Sequence, residues 1–262
     1  MMALRTAATG MAAQDLNVDV ISNNIANMNT VGFKKGRAEF EDLIYQTIEQ
    51  PGSQSSTQGT IIPTGVQVGA GVKAGSVYTI GTQGSLTQTG NPLDLAIQGP
   101  GYFQVLMPDG QTAFTRAGNF SVNAQGQLVT ADGFQVIPQI QIPQGATNVT
   151  ISNAGQVQVT VAGNTAPQQV GQLQLATFFN DAGLNPQGNN LFTQTDASGA
   201  PTTGNPGVQG LGTVLQGYTE ASNVDPVSEI TALIVAQRAY EMNSKVITTA
   251  DQMLQTNTQM KT

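Results

Sequence analysis

The chain has 262 residues with no cysteine and no histidine, a formal net charge of -7, and 10% charged residues. The acidic balance argues against a nucleic-acid-binding face, and the lack of histidine removes the commonest general base and the commonest transition-metal ligand. Lack of cysteine fits export through, or residence in, an oxidising compartment, and no apolar run is long enough to span a bilayer.

The first element is a helix. Leu4, Met11, Val18 and Ile25 recur every seven residues, with Ala7, Gln14, Ile21 and Met28 three further on, which is a heptad seam. It is expected to end near residues 27–32, where Asn29, Thr30 and Gly32 terminate helices well. No charged n-region followed by a continuous apolar stretch opens the sequence, so no secretory signal is expected. The basic cluster Phe33-Lys34-Lys35-Gly36-Arg37 reads as a solvated helix end, with cations at the negative end of the dipole.

Phe40-Glu41-Asp42-Leu43-Ile44-Tyr45 leads into a Gln/Ser/Thr/Gly stretch over residues 46–60, closed by Ile61-Ile62-Pro63. Such a composition suits a flexible linker. It equally suits an extended arm that orders only against neighbouring subunits. Next, Gly69-Ala70-Gly71-Val72-Lys73-Ala74 matches the dinucleotide fingerprint, but a strand-like run follows where the phosphate-binding helix must start. The match is a coincidence of glycines.

Residues 93–192 read as short strands separated by turn signals at 108–110, 123–126, 132–133, 153–155, 163–164 and 180–183. Val157, Val159 and Val161 alternate with Gln158 and Thr160, as in a half-buried strand. An antiparallel β domain, a partly closed barrel or a sandwich, is predicted. A Gly/Pro/Thr loop covers residues 197–212 and a returning strand 213–219.

Asp225-Pro226 starts the last helix, and no Pro or Gly follows. Leu233, Ala236, Tyr240, Asn243, Ile247, Ala250 and Leu254 alternate at spacings of three and four, while Ile230, Ile234, Val235, Met242, Val246 and Met253 add apolar positions beside that seam. A helix apolar on more than one face wants more than one neighbour. The two terminal helices therefore either close an antiparallel hairpin within one molecule or pair as a coiled coil in the wall of a tube built from many copies. The fold class expected is α+β. Residues 1–36 with 222–262 form a helical domain, 37–72 a linker or arm, and 73–221 a β-rich domain.

Catalytic chemistry finds little support. Asp109, Asp132 and Asp181 fall in turn signals, where Asp serves the backbone. Between residues 51 and 219 there is no Glu, and the only basic residues are Lys73 and Arg116. The sequons at Asn119 and Asn148 carry no weight in a chain rich in Asn and Thr. No catalytic residue, cofactor or metal site is expected.

Asn23-Asn24-Ile25-Ala26-Asn27-Met28-Asn29-Thr30-Val31-Gly32-Phe33-Lys34 resembles the N-terminal signature of bacterial flagellar rod and hook proteins. Gln216-Gly217-Tyr218-Thr219-Glu220-Ala221-Ser222-Asn223-Val224, followed by Ala236-Gln237-Arg238-Ala239-Tyr240-Glu241, is similar to the family's second signature. Asn91-Pro92-Leu93-Asp94-Leu95-Ala96-Ile97-Gln98-Gly99-Pro100-Gly101-Tyr102-Phe103 and Phe114-Thr115-Arg116-Ala117-Gly118-Asn119-Phe120 resemble its shared middle. The stretch from Phe40 on to Pro63 looks like an insertion of the distal-rod type.

The resemblance implies a non-enzymatic structural subunit of the flagellar rod, self-assembling into a rigid helical tube that transmits torque from motor to hook. A proximal-rod or hook component is the near alternative; a secreted β-domain glycan-binding protein or enzyme is the distant one. Leu4, Met11, Val18 and Ile25, with Ile230, Leu233, Tyr240, Ile247 and Leu254, would form the assembly seams. Tyr45, Gln46, Thr47, Ile48, Gln50, Pro51, Gly52 and Pro63 would belong to a stiffening arm, and Asn23, Asn24, Asn27, Gly32 and Phe33 to the family motif. Implied partners are further copies of the chain, proximal rod proteins, the hook protein, bushing ring proteins and the flagellar export apparatus, with no nucleic acid and no membrane insertion. The implied location is a basal-body rod crossing the periplasm, reached without a cleaved signal peptide.

Overall fold

The computed structural model describes residues 2–52, 64–162 and 166–260, except the side chain of residue 257. The chain divides into two compact units: Met1–Ile25, Gly36–Tyr78 and Pro226–Thr262 form one, Ala26–Lys35 and Thr79–Asp225 the other. The first is helical with two small β ribbons. The second is a β unit. The sequence division at residues 36, 72 and 221 differs from these bounds: 26–35 belong to the β unit and 36–78 to the helical unit.

In the helical unit, α1 spans Met2–Ala26 and α2 spans Pro226–Gln259. Proline at the first position and Glu229 in the first turn suit the start of α2. Four short strands lie between them in sequence: β1 (Gly36–Asp42), β2 (Tyr45–Glu49), β3 (Val66–Gly69) and β4 (Val72–Thr79). Strand β1 pairs with β4, and β2 pairs antiparallel with β3, Tyr45 opposite Gly69 and Gln46 opposite Val68. The glycines of the dinucleotide-like match end β3 and lead into β4, with no helix after them.

Contacts at three levels make α1 and α2 an antiparallel pair. Asn24 bonds Glu229, Gly10 abuts Asn243, and Ala3 shares a groove with Met242 and Met253. Glycine inside a helix costs about 1 kcal/mol relative to alanine. Here a Cβ at Gly10 would stand 2.9 Å from the Asn243 amide nitrogen, so close packing accounts for the residue.

In the β unit the strands are β5 (Leu86–Gln88), β6 (Leu95–Gln98), β7 (Tyr102–Leu106), β8 (Thr112–Thr115), β9 (Ser121–Val122), β10 (Leu128–Val129), β11 (Gln135–Ile137), β12 (Ala146–Ile151), β13 (Gln156–Val161), β14 (Gln168–Gln172), β15 (Leu175–Thr177), β16 (Asn185–Gly188), β17 (Leu191–Thr193), β18 (Thr202–Gly204), β19 (Thr213–Gln216) and β20 (Tyr218–Glu220). Among the described residues the largest sheet has nine strands, ordered β16-β17-β8-β7-β11-β10-β9, with β15 joining β7 to β18. Its pairs are antiparallel and its path does not close. Strands β12, β13 and β14 form a separate sheet.

Strand β7 sits between two apolar clusters. Phe103 and Val105 join Leu95, Ile97, Leu175 and Val214 on one side. Tyr102 joins Phe114, Phe178 and Phe192 on the other, with edge-on rings. Burial on both faces explains why residues 102–106 read as an apolar run without clean alternation. Val157 and Val159 on β13 are buried, as alternation predicts. The returning strand is two strands: Gly217 (φ 78°) breaks it, so that β19 pairs with β6 and β20 with β5.

Candidate assembly surfaces and a buried charge cluster

The predicted seam residues Leu4, Met11, Val18 and Ile25 are half-buried, and Ala7, Ala13 and Ile21 are the buried apolar residues of α1. Along α2, Ala236 is buried, and Leu233, Asn243, Ile247 and Ala250 are half-buried. Tyr240, Leu254 and Ile230 remain exposed. Small and polar side chains thus occupy much of the inward face of α2. Several of its larger apolar side chains point elsewhere: Val235, Met242, Val246 and Met253 are between 46% and 67% exposed. A groove of about 480 Å³ lined by Ala3, Met242, Lys245, Val246, Thr249 and Met253 runs beside this stripe. A second, of about 320 Å³, lies among Asp15, Val18, Gln237 and Tyr240. The helix pair does not fill its own flanks.

The β2–β3 ribbon is a second exposed apolar surface. All five residues of β2 are exposed, and Ile44 just before it is 86% exposed. Ile48, Val66 and Val68 are exposed as well, and Tyr45 lies beside Gly69. Of the arm residues, Tyr45, Gln46, Thr47 and Ile48 are in β2, whereas Gln50, Pro51 and Gly52 follow it with Pro51 and Gly52 in a turn. Pro63 lies outside the described residues, as does the turn signal at 163–164.

The family-motif residues have distinct tasks. Asn24 is buried in α1. Its side-chain amide donates to the Gly36 carbonyl (2.9 Å) and to Glu229 Oε2 (3.2 Å), and its oxygen accepts from Gly36 N–H (2.9 Å). Asn27 accepts from the Thr30 hydroxyl through Oδ1 and from Thr30 N–H through its carbonyl. Gly32 has φ 71° and packs against the Arg116–Ala117 backbone, where a side chain has no room. Phe33 is half-buried, and its carbonyl accepts from Asn223 N–H. Asn23 is exposed.

One expectation is overturned. Lys34 is not part of a solvated helix end: it is buried, donating to the Thr82 carbonyl (2.8 Å) and forming an ion pair with Glu220. Glu220 is 0% exposed and also accepts from Gly84 N–H (2.9 Å). Arg116 Nε stands 3.5 Å from its second oxygen, while Nη2 donates to the Gly99 carbonyl (2.9 Å). The reason lies in sequence separation. The partner that offsets the desolvation of Lys34 comes from β20, 186 residues away, and no local pattern announces it. The sequence reading also missed Glu220 and Arg116 as a pair. Both were visible as isolated charges inside otherwise neutral motifs.

Burial lowers the pKa of Lys34 from its ordinary value, with the hydrogen bond and charge of Glu220 acting the other way. It raises that of the Tyr102 hydroxyl, and the charge of Asp181 adds to the rise. Asp181, on the cavity of about 180 Å³ that Arg116, Tyr102 and Gln83 also line, is raised above its ordinary 3.8 by burial, with Arg116 and Lys34 opposing. A raised carboxyl contributes stability that is full below pH 3.8 and is lost as pH rises through its folded-state value. Asp181→Asn is therefore expected to raise the urea midpoint slightly at pH 7 and to leave it unchanged below pH 3.8. Paired urea titrations at the two pH values check this.

Among the described residues no group of three or more His, Cys, Asp or Glu is placed to hold a metal, and no helix is long and apolar enough to cross a membrane. What stands out is a β unit, an antiparallel helix pair with unfilled flanks, and an exposed ribbon: the parts of a subunit built to meet others. Comparison with known proteins agrees with that class. The family model for flagella basal body rod proteins matches residues 4–34, that for the flagellar hook protein FlgE/F/G D1 domain residues 96–159, and that for the flagellar basal body rod FlgEFG protein C-terminal region residues 215–260. The flagellar basal-body rod protein FlgG of Caulobacter vibrioides is 68% identical over 261 residues, covering 100% of both chains. Those of Agrobacterium fabrum and Bacillus subtilis are 54% and 43% identical, over 97% and 96% of each chain. The chain belongs to the FlgG family of flagellar basal-body rod proteins and is a structural subunit of the flagellar rod.

Proposed function

We propose that this subunit builds the distal rod as a stiff helical tube that carries torque from motor to hook, and that it catalyses nothing. The observation that carries the reading is the pair of exposed apolar surfaces in the helical unit: the α2 stripe and the β2–β3 ribbon. A single copy leaves both in water. A tube of many copies removes them from it, which is the dominant favourable term in association. The helical domain would form the inner wall, residues 37–72 the arm between subunits, and the β-rich domain the outside. Leu4, Met11, Val18 and Ile25 would complete their burial there, with Ile230, Leu233, Tyr240, Ile247 and Leu254 of α2.

The ribbon would act as a strut. A link tied to several neighbours resists the sliding that curvature demands. Proximal rod and hook proteins would meet the ends of the tube, bushing rings its outside, and the export apparatus would pass the unfolded, cysteine-free chain across the cell envelope. Deletion of residues 46–63 tests the strut directly. The expected result is a tube that still forms but bends, with a persistence length reduced several-fold in electron micrographs. Tubes as straight as the parent's would remove the arm from the mechanism. A soluble deletion variant that never polymerises would make the arm an assembly contact and not a stiffener.

A further inference from the structure

The β unit contains both stretches that continue into the helices: Ala26–Lys35 leads from α1, and the residues after β20 lead to α2. They lie side by side. Gly32 N–H donates to the Glu220 carbonyl (2.8 Å), and Lys35 N–H donates to Asn223 Oδ1 (2.7 Å). Asn223 Nδ2 in turn donates to the carbonyls of Ile80 (2.9 Å) and Thr82 (3.1 Å). At the centre is Glu220, whose carboxylate meets Lys34 from the first stretch, Gly84 N–H from the segment before β5, and Arg116 after β8. Three other parts of the chain converge on this one buried side chain. None of these polar residues belongs to either apolar cluster of the unit.

We propose that Glu220 is a positioning residue: it clamps the two stretches that continue into the helices, so that an unassembled subunit already presents them in fixed register. The cluster supplies specificity more than strength. A buried ion pair is seldom a better source of stability than apolar side chains of the same volume, because each charge is stripped of water. What it does supply is selectivity, because a buried carboxylate tolerates only an arrangement that satisfies it. Lys34 and Gly84 N–H bond one oxygen of Glu220, and the Arg116 guanidinium faces the other at 3.5 Å, only when residues 31–35 lie against 218–223. Asp181, the other acid acting on Lys34, lies on the cavity beyond Arg116. A subunit whose two stretches are already aligned has less to order when it joins the tube, so the clamp has a purpose in assembly. That last step rests on the assembly reading; the clamp itself does not.

Residue-resolved hydrogen exchange on the full-length chain, held below the concentration at which it polymerises, tests the clamp. Glu220→Gln keeps the shape and removes the charge. Amides of Gly32, Lys35, Ala221 and Asn223 are expected to exchange at least about tenfold faster, a loss of roughly 1.4 kcal/mol of local protection, while those of Val105 and Leu175 change less than about twofold. Lys34→Met keeps the carboxylate and removes the cation bonded to it, and as the second variant it is expected to give the same pattern. Equal acceleration at both sets of amides, or none at either, overturns the proposal. So does failure of both variants to fold, since the cluster is then inseparable from the core. The assembly step is read separately: a longer lag before tube growth in Glu220→Gln supports it, and an unchanged lag with loosened amides confines Glu220 to the monomer.

Discussion

Replacing Val235, Met242, Val246 and Met253 together with glutamine is expected to abolish tube growth where the parent chain assembles, while the β unit melts at its usual temperature. The four positions advance 18 residues, from 235 to 253, over five turns at about 3.6 residues each, so they form a straight stripe along α2. In one copy they lie mostly in water, and glutamine is a good helix former, so the isolated subunit loses little. Fully burying a Val or Met side chain is worth about 1.5–3 kcal/mol, and side chains already half covered stand to gain roughly 1 kcal/mol each. Four per subunit come to about 4 kcal/mol, which raises the concentration needed for assembly about a thousandfold.

Pelleting across a concentration series, with electron microscopy of the pellets, measures that threshold. A quadruple variant that assembles at the parental concentration would show that the stripe faces water in the tube as well. Glutamines at Leu233 and Ile247 form the useful contrast, because these half-buried residues lie on the inward seam. There the helix content of the dilute chain should fall first, with assembly failing as a consequence.

The helices were legible because heptads are a local signal. Seven-residue spacing of Leu4, Met11, Val18 and Ile25, and the Pro226 start, need no knowledge of the rest of the chain. The antiparallel β unit was legible from turn residues: Gly110, Gly126, Gly133 and Gly155 all adopt positive φ at turns the sequence marks. Pairing was not legible. Composition describes residues 46–60 as linker or arm, yet residues 45–49 pair with 66–69, a partnership composition does not show. The charge cluster failed for a similar reason. The dipole argument placed Lys34 in water from its nearest neighbours, and a single contact with Glu220 outweighs that argument. Local rules predicted elements, and long-range partners decided which charges are buried.

Asn24 is the sharpest case of a motif residue whose role only the structure supplies. Its side chain is paired with the Gly36 peptide as one strand residue pairs with another, and the remaining N–H reaches Glu229 on α2. One amide thus ties α1, the start of β1 and the first turn of α2. Asn24→Ala removes all three bonds and leaves the part-buried Gly36 N–H and carbonyl without the amide that pairs them. At about 1–3 kcal/mol for each group left unsatisfied, a loss of roughly 2 kcal/mol or more is expected. Asn24→Leu restores volume but not the bonds and should recover little. Asn24→Asp should be worse than alanine at neutral pH, because it sets a second carboxylate against Glu229. Far-UV circular dichroism during urea unfolding, with hydrogen exchange at Gly36, resolves the three variants. If all three unfold with the parent, the amide is incidental, and the helix pair is held by its apolar seam and the close packing at Gly10. If they fall in the order given, one polar residue fixes the register of α1 against α2.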